Sequence, residues 1–108
     1  MNFSVTFRHM EATDAIRDYA EQKLGKVKKY LTEPIEFNVV LKVEKHRHIA
    51  EITLSSERKT FNCSEKTEDM YSAIDKAADK LERQVKRAKD RIQTKRTSGS
   101  KPEPAEEQ

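Results

Sequence analysis

EDMYSAIDKAADKLERQVKRAKDR, residues 68–91, places an apolar residue at nearly every third or fourth position. Met70, Ile74, Ala77, Ala78, Leu81, Val85, Ala88 and Ile92 align into one stripe, so the segment reads as an amphipathic helix docked by one side. At about 100° per residue, Lys76, Lys80, Arg83, Arg87 and Arg91 form a second stripe, roughly opposite the first. Asp75, Asp79, Glu82 and Asp90 fall on one flank between them. A row of cations at helical spacing suits a polyanion, because each neutralised phosphate releases condensed counterions. The competing reading is a solvated face that serves solubility alone.

Upstream of this helix the periodicity changes. Phe3, Val5 and Phe7 alternate with Ser4, Thr6 and Arg8, a half-buried strand. Thr13 reads as an N-cap with Asp14 in the first turn, opening a helix from about Asp14 to Leu31. That helix would bury Ile16, Ala20, Leu24, Val27 and Leu31, carry Gly25 inside it, and end before Pro34. Phe37, Val39, Leu41 and Val43 share one strand face, and Ala50, Ile52 and Leu54 share the next. The short basic link between them makes the two strands antiparallel. A fourth strand, about Lys59–Ser64, points Phe61 and Cys63 inward, and Thr67 reads as the cap of the last helix.

The order is therefore β-α-β-β-β-α, in the α+β class. Strands one and two are joined through a helix and should be parallel; the others form a meander. One apolar face per strand and one apolar stripe per helix predict a four-stranded sheet with both helices packed on one face. This is the layout of double-stranded-RNA-binding domains. The last helix outreaches the strands, so its basic end should project past the sheet.

Composition bounds the rest. With 108 residues, 38% of them charged and 34% hydrophobic, the chain has room for one small core under a very polar surface. From Lys80 to Arg96, eight cations stand against Glu82 and Asp90, whereas the net charge of the whole chain is only +3. No apolar run is long enough to span a bilayer, and no secretory leader is expected. A single cysteine fits a reducing, cytoplasmic setting. Residues 96–108 carry Gly, Ser and Pro but no large apolar residue, and read as a disordered tail after a domain at 1–95.

Sites of other kinds find little support. Cys63, on the inward phase of a strand, reads as a core residue rather than a nucleophile. His46 and His48 alternate as two metal ligands would, but only His9 remains as a third histidine, so no metal is expected. There is no glycine-rich phosphate loop and no serine nucleophile motif, so neither a cofactor nor catalysis is expected. The cationic residues are better candidates. Lys42, Lys45, His46, Arg47 and His48 form a basic hairpin tip, a second candidate for phosphate contact. Tyr19, Lys23, Lys26 and Tyr30 line one edge of the first helix. If the helices lie side by side, Lys23 and Lys26 should border a cationic groove with Lys80, Arg83 and Arg87, of the kind that straddles RNA. For the tyrosines, the plainer reading is that they seal the edge of the core.

Three segments together resemble the ribosome hibernation-promoting factors. They are Glu68-Asp69-Met70-Tyr71-Ser72-Ala73-Ile74-Asp75 with Asp79-Lys80-Leu81-Glu82-Arg83-Gln84; Leu41-Lys42-Val43-Glu44-Lys45; and Glu11-Ala12-Thr13-Asp14-Ala15-Ile16-Arg17 leading to Lys23-Leu24-Gly25-Lys26-Val27. The resemblance, which runs to about residue 95, implies the same fold and a non-catalytic role. It implies a domain lodged on the small ribosomal subunit, at the messenger- and transfer-RNA decoding region, blocking translation by idle ribosomes under stress or in stationary phase. It implies RNA-binding roles for Lys23, Lys26, Lys45, Lys80, Arg83, Lys86 and Arg87. A further partner would be a separate ribosome-pairing factor, which short members of the family either assist or oppose. The free protein is expected to be a monomer. Two other functions compete: a double-stranded-RNA-binding module acting off the ribosome, and a protein-interaction modulator of transcription.

Overall fold

The computed structural model describes the backbone of residues 1–97 and the side chains of residues 1–89. Its elements are β1 (Asn2–Arg8), α1 (Asp14–Gly25), a short 3-10 helix (Lys26–Tyr30), β2 (Ile35–Glu44), β3 (Arg47–Ser56), β4 (Lys59–Thr67) and α2 (Met70–Thr97). The sheet order is β1-β2-β3-β4. β1 runs parallel to β2, and the other pairs are antiparallel.

Alternation decides which strand face is buried. Phe37, Val39, Leu41, Ala50, Ile52, Leu54 and Cys63 point to the same side and are almost wholly buried. Ala20 and Leu24 of α1, Val27, and Met70, Ala73, Ile74, Ala77, Ala78, Leu81 and Val85 of α2 join them in one cluster. Both helices therefore cover one face of the sheet. Phe3, Val5 and Phe7 on the edge strand β1 are only half-buried against this core. The Cys63 thiol is closed in with them, donating to the Ala77 carbonyl at 3.1 Å, and burial pushes its pKa up to about 11. A thiol held protonated there is a poor nucleophile.

Several local expectations need correction. The first α-helix stops at Gly25 and continues as a 3-10 turn to Tyr30, instead of running unbroken to Leu31. The tighter turn keeps Val27 buried while Leu31 stays half-exposed. The last helix is capped by Asp69, not Thr67: the Asp69 carboxylate accepts from the backbone N–H of Ser72 at 3.0 Å and of Tyr71 at 3.3 Å. Bonds to Ser72 hold the Asp69 carboxyl below its usual pKa. Thr67 instead bonds the backbone of Asp69. β4 runs on to Thr67 rather than ending near Ser64.

The helical backbone of α2 continues to Thr97, two residues into the stretch expected to be tail. Ala88 and Lys89 still lie beside the β3–β4 turn, and eight more residues of helix, about 12 Å, follow them. The side chains of Asp90, Arg91, Ile92, Lys95 and Arg96, and the tail from residue 98, lie outside the described residues.

Both hairpins use two-residue links. Lys45 and His46 both have positive φ, 47° and 70°, which is the type I′ pattern that Asn-Gly adopts with least strain. Glu57 opens the second link at φ 56°.

Candidate nucleic-acid interface

The two helices do lie side by side, but their seam is not the expected cationic groove. The acidic flank of α2 faces α1. Tyr19 donates to Asp75 at 2.6 Å, and Lys23 pairs with the same carboxylate oxygen at 3.2 Å. Lys23 also sits 5.7 Å from the centre of the Tyr19 ring. One helical stretch further on, Tyr30 donates to Glu82 at 3.3 Å. Lys29 and Lys86 both approach its ring, at 5.3 and 5.8 Å from the centre. Tyr71, exposed on α2, packs edge-on against Tyr19 with ring centres 4.9 Å apart. The bond to Asp75, aided by burial, pushes the Tyr19 phenol up to about 12. The tyrosines thus seal the core edge as expected, and they also engage the neighbouring lysines.

Lys76, Lys80, Arg83 and Arg87 take the other side of α2, whereas Lys86 stays on the seam. Lys80 reaches across to Glu65 of β4 at 3.0 Å. Lys76, Arg83 and Arg87 are exposed, and they share this stripe at helical spacing. The stripe leans towards β4 because its centre lies somewhat less than half a turn from the apolar one. Gln84 confirms the direction by donating to the Asn62 carbonyl of β4 at 3.2 Å.

The seven expected RNA contacts therefore fall in three places. Lys80, Arg83 and Arg87 stand together on the β4 side of α2. Lys23 and Lys86 lie on the seam, and Lys26, exposed at the end of α1, stands nearby. Lys45 is in the two-residue link at the tip of the β2–β3 hairpin, on neither helix. Lys29 was missed by the sequence reading. Its signal was the run Lys28-Lys29-Tyr30, which the 3-10 turn converts into a cation over a ring. Among the described residues no group of three or more His, Cys, Asp or Glu side chains has the geometry to hold a metal ion, and no helix is long and apolar enough to cross a membrane.

Comparison with known proteins follows the same outline. Residues 3–93 match the model of a family described as sigma 54 modulation protein / S30EA ribosomal protein. A ribosome hibernation promoting factor of Salmonella typhimurium is 38% identical over 92 residues, which are 85% of this chain and 97% of that protein. A ribosome hibernation promotion factor of Lactococcus lactis is 36% identical over 99 residues, 88% of this chain but 53% of the relative. In structure, the N-terminal domain of Thermus thermophilus Protein Y superposes with a TM-score of 0.77 at 39% identity, covering 82% of this chain and 99% of that one. A ribosomal subunit interface protein from Coxiella burnetii, at 22% identity and a TM-score of 0.73, shares the fold.

Proposed function

The chain belongs to the sigma 54 modulation protein / S30EA ribosomal protein family, and from that membership we propose that it is a ribosome hibernation factor of the cytoplasm. In this reading it binds the small ribosomal subunit at the decoding region and keeps messenger and transfer RNA out of an idle particle. The mechanism is steric and requires no bond to be made or broken. Affinity comes mainly from Lys and Arg side chains meeting phosphates, with each contact releasing counterions.

The observation that carries the reading is the row Lys80, Arg83 and Arg87. It stands on a rigid helix whose opposite side is anchored by Ile74, Leu81 and Val85, all nearly fully buried. A cation on such a helix is presented with its backbone already ordered, so binding costs only side-chain freedom. Lys23, Lys26 and Lys86 on the seam side and Lys45 at the hairpin tip would add contacts elsewhere on the domain, and a separate ribosome-pairing factor is a further proposed partner.

The test is charge reversal, Lys80→Glu, Arg83→Glu and Arg87→Glu together. The far-ultraviolet circular dichroism should keep its folded shape, since surface substitutions usually cost within about 0.5 kcal/mol each. Cosedimentation with small subunits should weaken by about a hundredfold or more, through lost attraction and new repulsion. A folded triple variant that still travels with small subunits would overturn the proposal. The words "sigma 54 modulation" in the family description give the transcriptional alternative its place, and wild-type protein that never enters the small-subunit fractions would favour it.

A further inference from the structure

We propose that the open face of the sheet, at its hairpin end, is a second docking surface for RNA phosphodiester backbone, built by Arg8, Arg47 and Lys66 around Ile49. The inference rests on the ribosome-binding reading for the identity of the RNA, and extends it to a face of the molecule remote from the helices.

The strand register sorts the open face into rows. Arg8, Lys42, Ile49 and Lys66 form one row across all four strands. At about 4.8 Å between strands it is about 14 Å wide. Lys45 and Arg47, at the hairpin, flank it. Five cations thus stand at this end against Glu44 and Glu51. Lys42 is engaged by both carboxylates, at 3.9 and 3.4 Å. Among the described residues Arg8, Lys45, Arg47 and Lys66 make no ion pair.

The rest of the face is different in kind. The row Ser4, Asn38, Thr53, Asn62 is neutral and satisfies itself, Ser4 donating to Asn38 at 2.6 Å and Thr53 to Asn62 at 3.0 Å. The row Asn2, Glu36, Ser55, Thr60 holds no cation. Cations serving solubility alone would have no reason to collect at one end.

Ile49 marks the centre of that end. It is only 5% exposed, although it lies outside the core cluster on the uncovered side of the sheet. Long basic stems beside it can cover an apolar side chain while their charged heads stay in water. Glu44, Lys45, Arg47, Ile49 and Lys66 line an open hollow of about 360 Å³, with Arg8 two strands from Ile49 at the end of the row. Cations set along the row, with Arg47 beside it, suit the repeating phosphates of an RNA strand, which would meet the charged heads while the stems keep Ile49 covered. A membrane surface would need more exposed apolar area than this, and a metal would need more than one carboxylate.

The experiment replaces charge without reversing it: Arg8→Gln, Arg47→Gln and Lys66→Gln in one chain, with Lys45 and every helical cation retained. Binding to small subunits, and to small-subunit RNA freed of protein, is measured across a salt series. Removing three phosphate contacts should flatten the slope of log affinity against log salt by about 2 to 3 on both targets. Lys66→Gln alone, for use if the triple variant folds poorly, should flatten it by about 0.7 to 0.9. A slope that changes on whole subunits but not on bare RNA would identify an acidic protein as the occupant and overturn the inference. An unchanged slope on both, while the helix reversal abolishes binding, overturns the second surface and leaves the proposed function standing. If neither variant affects binding, both readings fall.

Discussion

On the side of α2 that meets α1, lysines lie within reach of tyrosine rings and carboxylates from the same seam. Lys23 pairs with Asp75 under Tyr19, and Lys86 stands over Tyr30. On the side that meets β4, Lys76 and Arg83 are exposed and Lys80 bridges to Glu65. The two sides of the helix differ in their own residues: α2 offers Asp75 and Glu82 to the seam, and Lys76, Lys80, Arg83 and Arg87 to the β4 side. The neighbours differ as well: α1 brings aromatic rings and Lys23 to the acidic flank, whereas β4 meets the other side through Glu65 and the Asn62 carbonyl. The seam sets its lysines against rings and a carboxylate, and on the β4 side Lys76 and Arg83 stay exposed beside the Lys80–Glu65 pair.

Truncation on each side should break this contrast if it is wrong. Asp75→Ala removes the acceptor shared by Tyr19 and Lys23. Because water reaches both partners, the loss should be about 1–2 kcal/mol of unfolding free energy in urea. Arg83→Ala should cost within about 0.5 kcal/mol in the same measurement, while weakening small-subunit binding. Equal losses of stability from the two changes would erase the distinction.

A smaller effect sharpens it through pH. Tyr19, pushed up to about 12 by its bond to Asp75, must give up that bond when it ionises. A raised folded-state pKa contributes stability in full below the unfolded value, near 10, and that contribution is lost as pH rises through about 12. Wild-type protein should therefore exceed Tyr19→Phe in stability at neutral pH, and the gap should close between pH 10 and 12. A gap that stays constant over that interval would mean the bond to Asp75 adds nothing.

The smallest expected change lies where the seam's first helix ends. Gly25 has φ −60°, an ordinary right-handed conformation, and a Cβ there would meet nothing within 4 Å. Gly25→Ala should raise the unfolding free energy by about 0.5–1 kcal/mol, read as a higher urea midpoint. A fall would show that the switch from α-helix to 3-10 turn needs glycine.

The strand order and the single core were legible because alternation and helical spacing are local signals, and Leu81 or Phe37 can be assigned inward from neighbours in sequence. The row Lys80, Arg83, Arg87 was legible for the same reason. The supposed groove failed because spacing fixes a residue's angle on its own helix but not which side meets another element. Asp75 and Glu82 were visible as a flank; that they face Tyr19 and Tyr30 depends on how the helices roll against each other. The cap moved from Thr67 to Asp69 because either residue can accept from the first turn, and β4 ran on to Thr67. The basic row on the open face required strand register, which joins Arg8 to Lys66 across most of the chain.

The parallel pairing of β1 with β2 also sets a sequence of events. Each β1 residue waits for a partner 34 positions later, as Asn2 does for Glu36, whereas the first β2–β3 pair, Glu44 with Arg47, closes across a two-residue link. Closing a long loop costs more entropy than closing a short one. The meander and α2 can therefore assemble from contacts near in sequence, while β1 is secured only across the whole of α1. During synthesis β1 emerges first, and Phe3, Val5 and Phe7 have no strand to pair with until β2 has been made.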